Sequence, residues 1–216
     1  MKHAVCPLLL LAVASHGVGG ELIDRIAVRV DGTIITQSEI VRDIRITAFL
    51  DGRPVVLNPD TMRKAAERLV ERALIRREMD ANRYPPAQLV EANHLLDQIK
   101  GRFASKDILT STLAEYAIGE DDVRDHLLLQ LTTLRFIEYR FRPAIQVAPR
   151  DIETYYETVF LPQAGQSHTQ RIPPLDEVRG DIEKILTNQR VDQSLDRWLQ
   201  ETRLQVDIEF QDEAFS

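Results

Sequence analysis

The residues of this chain that could do chemistry are few and scattered. Three histidines follow residue 20: His94, His126 and His168. An imidazole can ligate a metal or shuttle a proton near neutral pH, but a metal site needs ligands at short, repeated intervals and these three lie far apart. His94 and His126 fall within helical patterns, where a surface or core histidine is the commoner use. His168 lies in a polar stretch, with no second histidine beside it. The adjacent carboxylates Asp121 and Asp122 resemble an acid–base pair, yet they open a helix, where negative charge is stabilised by the helix dipole. The single cysteine, Cys6, lies in the apolar run near the N-terminus, so no disulfide, thiol nucleophile or cysteine metal site is expected. No glycine-rich phosphate loop, G-x-S-x-G elbow or H-E-x-x-H zinc motif occurs. No catalytic residue, cofactor site or metal site is therefore assigned.

The elements around these residues are more informative. Residues 1–20 have the layout of a secretory signal peptide: Lys2 and His3, the apolar run "VCPLLLLAVA", then the small residues of "SHGVGG". Cleavage near Gly19 or Gly20 and a periplasmic location are expected. No later stretch is apolar enough for a membrane span, so no stable membrane insertion is expected. The chain carries 27 basic and 34 acidic residues, a net charge of −7 that becomes −8 once Lys2 leaves with the signal. That balance argues against a nucleic-acid partner, which selects basic faces.

After Glu21 the pattern takes a period of two. Ile26, Val28 and Val30 alternate with charged residues, Asp31-Gly32 is a hairpin turn signal, and "TIIT" forms a return strand. Thr36 and Glu39 have capping-box spacing, predicting a helix with Ile40, Ile44 and Ala48 inward that stops near Asp51-Gly52. Asn58-Pro59 starts the next helix, with Met62, Ala66, Leu69, Ala73 and Leu74 on its apolar side. Its other side pairs Arg63 with Glu67 and Arg68 with Glu71, the pattern of a solvated face. Pro85-Pro86 separates it from a helix with Leu89, Ala92, Leu96, Ile99 and Phe103 in a stripe. A short helix follows Ser105. A long one runs from Gly119 to Phe141, with Val123, Leu127, Leu131 and Leu134 inward, and Pro149 opens another. Pro174 starts the last helix, whose inward side includes Leu175, Val178, Ile182, Ile185, Leu195 and Trp198. Leu204, Val206, Ile208 and Phe210 then alternate as a strand. A two-stranded hairpin is marginal alone, so this terminal strand is expected to join it. The predicted fold is mainly α, closed by a small antiparallel sheet of the N-terminal hairpin and the C-terminal strand.

In order, these segments resemble the SurA-type periplasmic chaperones. "IAVRVDGTIITQSEI" is similar to that family's opening hairpin and first helix. "RLVERALIRREMDANRY" and "YAIGEDDVRDHLLLQLTTLRFIEYRFRP" are similar to its next and its long helix, with Ala117 where the family more often has glycine. "VAPRDIETYY" is similar to the helix that leads into a parvulin prolyl-isomerase domain, and "PPLDEVRGDIEKIL" through "WLQETRLQVDIEF" to the closing helix and strand. The resemblance implies a signal over 1–20, an N-terminal chaperone domain over 21–148, a helix and bypass linker over 149–173, and a C-terminal helix and strand over 174–216 that complete the chaperone domain. Only residues 157–173 stand where the isomerase domain would be, too few for an independent domain, so no isomerase residue carries over. The implied function is an ATP-independent chaperone for unfolded polypeptides, outer-membrane proteins among them. The alternatives are a prolyl isomerase by family membership, or a structural subunit of an envelope assembly with one fixed partner. Phe103 and Tyr116, near helix ends, are the candidate client-binding residues, although aromatics on helical stripes mostly pack inward.

Overall fold

A computed structural model describes residues 24–166 and 172–215, so the expected signal peptide and His168 lie outside the described residues. β1 (Ile26–Val30) and β2 (Thr33–Thr36) form the hairpin, with Val30 paired to Thr33 and Arg29 to Ile34. Asp31 and Gly32 both have positive φ, 44° and 86°, the two-residue turn whose twist matches that of the strands. β3 (Ile208–Phe210) pairs antiparallel with the other side of β1, giving the order β2-β1-β3. The bonds from Asp31 N–H to the Asp207 carbonyl and from Gln211 N–H to that of Ala27 extend the pairing at both ends.

The third strand is shorter than its alternating sequence suggests. Leu204 is 90% exposed, because the last helix runs through Arg203 and Leu204 serves as its C-cap. The burial lost there is recovered beyond the strand, where a 3-10 turn (Asp212–Phe215) places Ala214 and Phe215 in the core against the sheet.

α1 (Gln37–Asp51) starts in the expected capping box: Thr36 Oγ1 accepts from Glu39 N–H, and Thr36 N–H donates to Glu39 Oε2 at 2.8 Å. It stops at Gly52 in the left-handed conformation, φ 63°. α2 (Pro59–Asn82) is capped by Asn58, whose Oδ1 accepts from Thr61 N–H at 2.8 Å. α3 (Leu89–Lys100), α4 (Lys106–Glu115, capped by Ser105) and α5 (Glu120–Arg140) follow. Leu89, expected inward, is exposed at the first turn of α3.

α5 changes partners along its length. Val123 and Leu127 pack with Ile46, Phe49, Leu109 and Leu113 of α1 and α4. Further on, Phe136 is fully buried among Ile75 and Met79 of α2, Phe141 and Trp198. Leu134, expected inward, is 52% exposed.

α6 (Pro149–Tyr155) runs without a break into a π-helical turn (Tyr156–Phe160) and then α7 (Leu161–Gln166), where a linker was expected from residue 157. The wide turn fits Pro162. Proline has no N–H to give and crowds the preceding turn, and ahead of it Leu161 N–H bonds the carbonyl of Tyr156, five residues back. α8 (Leu175–Arg203) returns past α6, with Ile182 buried, while Ile185, expected inward, is exposed. The sheet, α1 to α5 and the C-terminal half of α8 form a head with three apolar clusters. α6, the π turn, α7 and the first half of α8 form an arm whose buried apolar side chains, among the described residues, are Ile152 and Ile182. Among the described residues no helix is long and apolar enough to cross a membrane.

Candidate functional site

The charged side of α2 is built into the head. Arg68 Nη2 and Arg72 Nη1 donate to the two oxygens of Asp43 on α1, at 2.8 and 2.6 Å. Glu71 pairs with Arg203 of α8 at 3.4 Å, in place of the expected local pair with Arg68. The expected Arg63–Glu67 pair is present at 3.8 Å. Among the described residues Asp43 is the buried charged one, its side chain 3% exposed. His126 of α5 completes the cluster, with Nδ1 3.7 Å from Asp43 Oδ1, too long for a hydrogen bond. Burial, and then the nearby Arg72 charge, push the His126 pKa below its usual value; Asp43 opposes this and Arg68 adds to it. The imidazole is therefore neutral at neutral pH. One carboxylate between two guanidiniums leaves a fixed net positive charge where α1, α2 and α5 meet.

Asp43, Arg72 and His126 of this cluster line a groove. A cavity of about 650 Å³ lies between the β1–β2 hairpin, α1, α2 and α5, with Ile35, Ile46, Leu69 and Leu129 among its apolar lining. Its rim carries both charge signs, with Arg42 near Asp122 at 3.5 Å and Arg77 near Asp31 at 3.1 Å. Arg76 and Asp80, one helical turn apart on α2, make no ion pair among the described residues. A second cavity of about 400 Å³ shares Arg72, Arg76, Asp80, Asp125 and Leu129 with the first and is also lined by Met79, Tyr84, Pro86 and Leu128. The two form one trough along α2 and α5. It offers apolar side chains and charged groups of both signs, six carboxylates against four guanidiniums in the lining of the first cavity. That set suits the reversible binding of a chain carrying apolar and polar groups in turn.

The other candidate residues lie elsewhere. Phe103 and Tyr116 are half-buried against Phe49 of α1, with ring centroids 6.0 Å apart in a stack and 5.6 Å apart edge-on. The Tyr116 hydroxyl donates to the Arg53 carbonyl at 2.9 Å, so these two rings seal the α1–α3–α4 corner, away from the trough. His94 lies on the exposed side of α3, 3.0 Å from Gln98. Asp121 and Asp122 form ion pairs with Arg124 and Arg42 at the start of α5. Among the described residues no group of three or more histidine, cysteine or acidic side chains is placed to hold a metal.

The sequence reading assigned no role to Asp43 or Arg72 and placed Arg68 in a solvated pair with Glu71. A signal for Asp43 was present: it stands between Ile40 and Ile44 on the apolar side of α1, where an unpaired carboxylate would be costly. Its partners were not legible, because they come from another helix. No family model and no curated protein matches the sequence.

Proposed function

We propose that the chain is an ATP-independent chaperone of the SurA type, acting in the periplasm on unfolded polypeptides, outer-membrane proteins among them, without an isomerase module of its own. The trough along α2 and α5 carries the reading. An open channel with apolar side chains and charged groups of both signs can take many sequences weakly, which a holdase requires. A client that must later be released unaided suits micromolar binding, about −8 kcal/mol, better than nanomolar, about −12 kcal/mol. The chain order supports the same reading: an N-terminal hairpin, a helical body, and a final strand that returns to β1.

The test is light scattering of a urea-denatured β-barrel protein diluted with and without the protein. Suppressed aggregation at near-stoichiometric ratios, without nucleotide, is expected. Unchanged aggregation at several-fold excess, with one folded protein recovered by affinity capture, would replace the reading with that of a structural subunit. Acceleration of proline-limited refolding by catalytic amounts would restore the isomerase alternative.

A further inference from the structure

The two edges of the small sheet are treated differently. Edge strands expose unpaired backbone groups, and proteins normally blunt them with charge, proline, bulges or a cover. The β3 edge is three residues long with Glu209 at its centre, and the Arg63 guanidinium lies 3.8 Å above the Phe210 ring. The β2 edge, "TIIT", contains no charge and no proline, and its Ile34 side chain is 46% exposed. The hairpin's bulge lies at the far end from the turn, between Ile26 and Val28 of β1.

The open edge faces the trough. Ile34 and Ile35 are neighbours in a strand, so their side chains point to opposite faces of the sheet. Both line the same cavity, which places that cavity around the rim of β2, with Asp125, His126 and Leu129 of α5 as its far wall. The register says which backbone groups are available. In an antiparallel ladder, bonded and non-bonded pairs alternate. The tight turn makes Val30 and Thr33 a bonded pair, so Arg29 and Ile34 are the non-bonded one. The N–H and carbonyl of Ile34 therefore point away from β1, into the trough. At Thr36 the outward N–H is already taken by Glu39 Oε2 at 2.8 Å. The edge thus offers one donor and one acceptor, at Ile34.

We propose that an extended polypeptide segment binds in the trough as a strand added to β2, exchanging backbone hydrogen bonds with Ile34 and laying alternate apolar side chains over Ile34 and Leu129. This rests on the client-holding reading and gives it a mode. Backbone pairing is indifferent to sequence, alternate side chains in the trough supply a preference for β-forming segments, and two backbone bonds keep the attachment weak enough to exchange. Unfolded chains with alternating apolar and polar residues are the class that fits.

Fluorescence titration of a labelled eight-residue peptide of alternating valine and threonine tests this, alongside the same peptide N-methylated at alternate amides. The parent peptide should bind in the micromolar range, and N-methylation should weaken it about fivefold, the scale of the one backbone hydrogen bond to the Ile34 carbonyl that it removes. Ile34→Pro removes the outward donor while sparing the ladder to β1. It should give a similar loss with an unchanged melting temperature, and Ile34→Ala a smaller one. Should Ile34→Pro not fold, the methylated peptide on the unaltered protein still decides. Equal binding of both peptides overturns strand addition but leaves the holdase reading standing, with clients gripped by side chains alone. No peptide binding together with unsuppressed aggregation overturns both. A concentration-dependent dimer lost in Ile34→Pro would assign the edge to a second copy of this chain, against the proposal.

Discussion

Asp43 and Asp151 each tie two elements together through arginine, in opposite surroundings. Asp43 in the head is 3% exposed and held by two guanidiniums from α2. Asp151 in the arm is 38% exposed and meets Arg190 of α8 at 2.7 Å. The same chemistry does different work in the two places. Water screens the exposed pair, which orients α6 on α8 and adds little to stability. The buried pair cannot be broken without stranding charge inside the protein. The apolar packing divides in the same way. The head holds three apolar clusters, two of them sharing Leu195 and Trp198, and Phe136 touches Tyr84, Phe141 and Trp198 within one of these. The arm relies on Ile152, Ile182 and the Tyr156–Phe160 stack, 5.4 Å between centroids. The head should therefore unfold as one unit, and the arm should open before it.

The strongest way to break this contrast is to hollow out each region. Phe136→Ala should cost about 3–5 kcal/mol and lower the melting temperature of the whole head. Ile152→Ala should speed hydrogen exchange in residues 149–166 while head amides keep their protection. Equal acceleration in both would show one cooperative unit.

Next in size is the charge pair itself. Asp43→Ala should destabilise by about 3 kcal/mol in urea titration, since it leaves two guanidiniums at the helix junction without their counter-ion. Asp151→Ala should leave the head's transition in place. Comparable losses from both would mean that burial does not govern these pairs.

A smaller effect should appear with pH. Burial lowers the folded-state pKa of His126 below its usual 6.5, so the unfolded chain binds the proton more readily. Stability is then fully present above about 6.5 and declines as pH falls from there toward the folded pKa. Asp24 and Asp151, whose pKa values are lowered chiefly by side-chain hydrogen bonds, from Ser38 and Arg190 respectively, lose their contribution only in the more acidic carboxylate range. Thermal melts between pH 5 and 7 should show this decline, and His126→Gln should flatten it. An unaltered slope would place the titrating group elsewhere.

The smallest change expected is a gain. Ala117 has φ 52°, a left-handed conformation that costs a residue bearing a Cβ about 1 kcal/mol. Ala117→Gly should raise head stability by about 0.5–1 kcal/mol in the same titration, net of the extra entropy of glycine in the unfolded chain. Any loss would show that the α4–α5 link is not strained.

Much of this fold is local and was legible for that reason. The Asp31-Gly32 turn, the Thr36 and Asn58 caps and the glycine stop at Gly52 are settled by residues within four positions of one another. The return of the final strand was also readable, because a hairpin with one apolar face needs a third member. The misreadings fall where a helix outruns or changes its neighbours. Leu134 and Ile185 satisfy the period of their helices yet stay exposed, and Leu204 caps the last helix in place of opening the strand.

Sequence alone therefore determined most of the secondary structure, its punctuation and the closing of the sheet, since propensity, capping and alternation act over a few residues. Only the tertiary structure decided the site. Asp43 meets Arg68 and Arg72 across 25 and 29 residues, and the edge of β2 becomes the wall of a groove only because α5 is carried to the far side. Neither juxtaposition leaves a periodic mark, because the partners come from different helices and their spacing is set by packing.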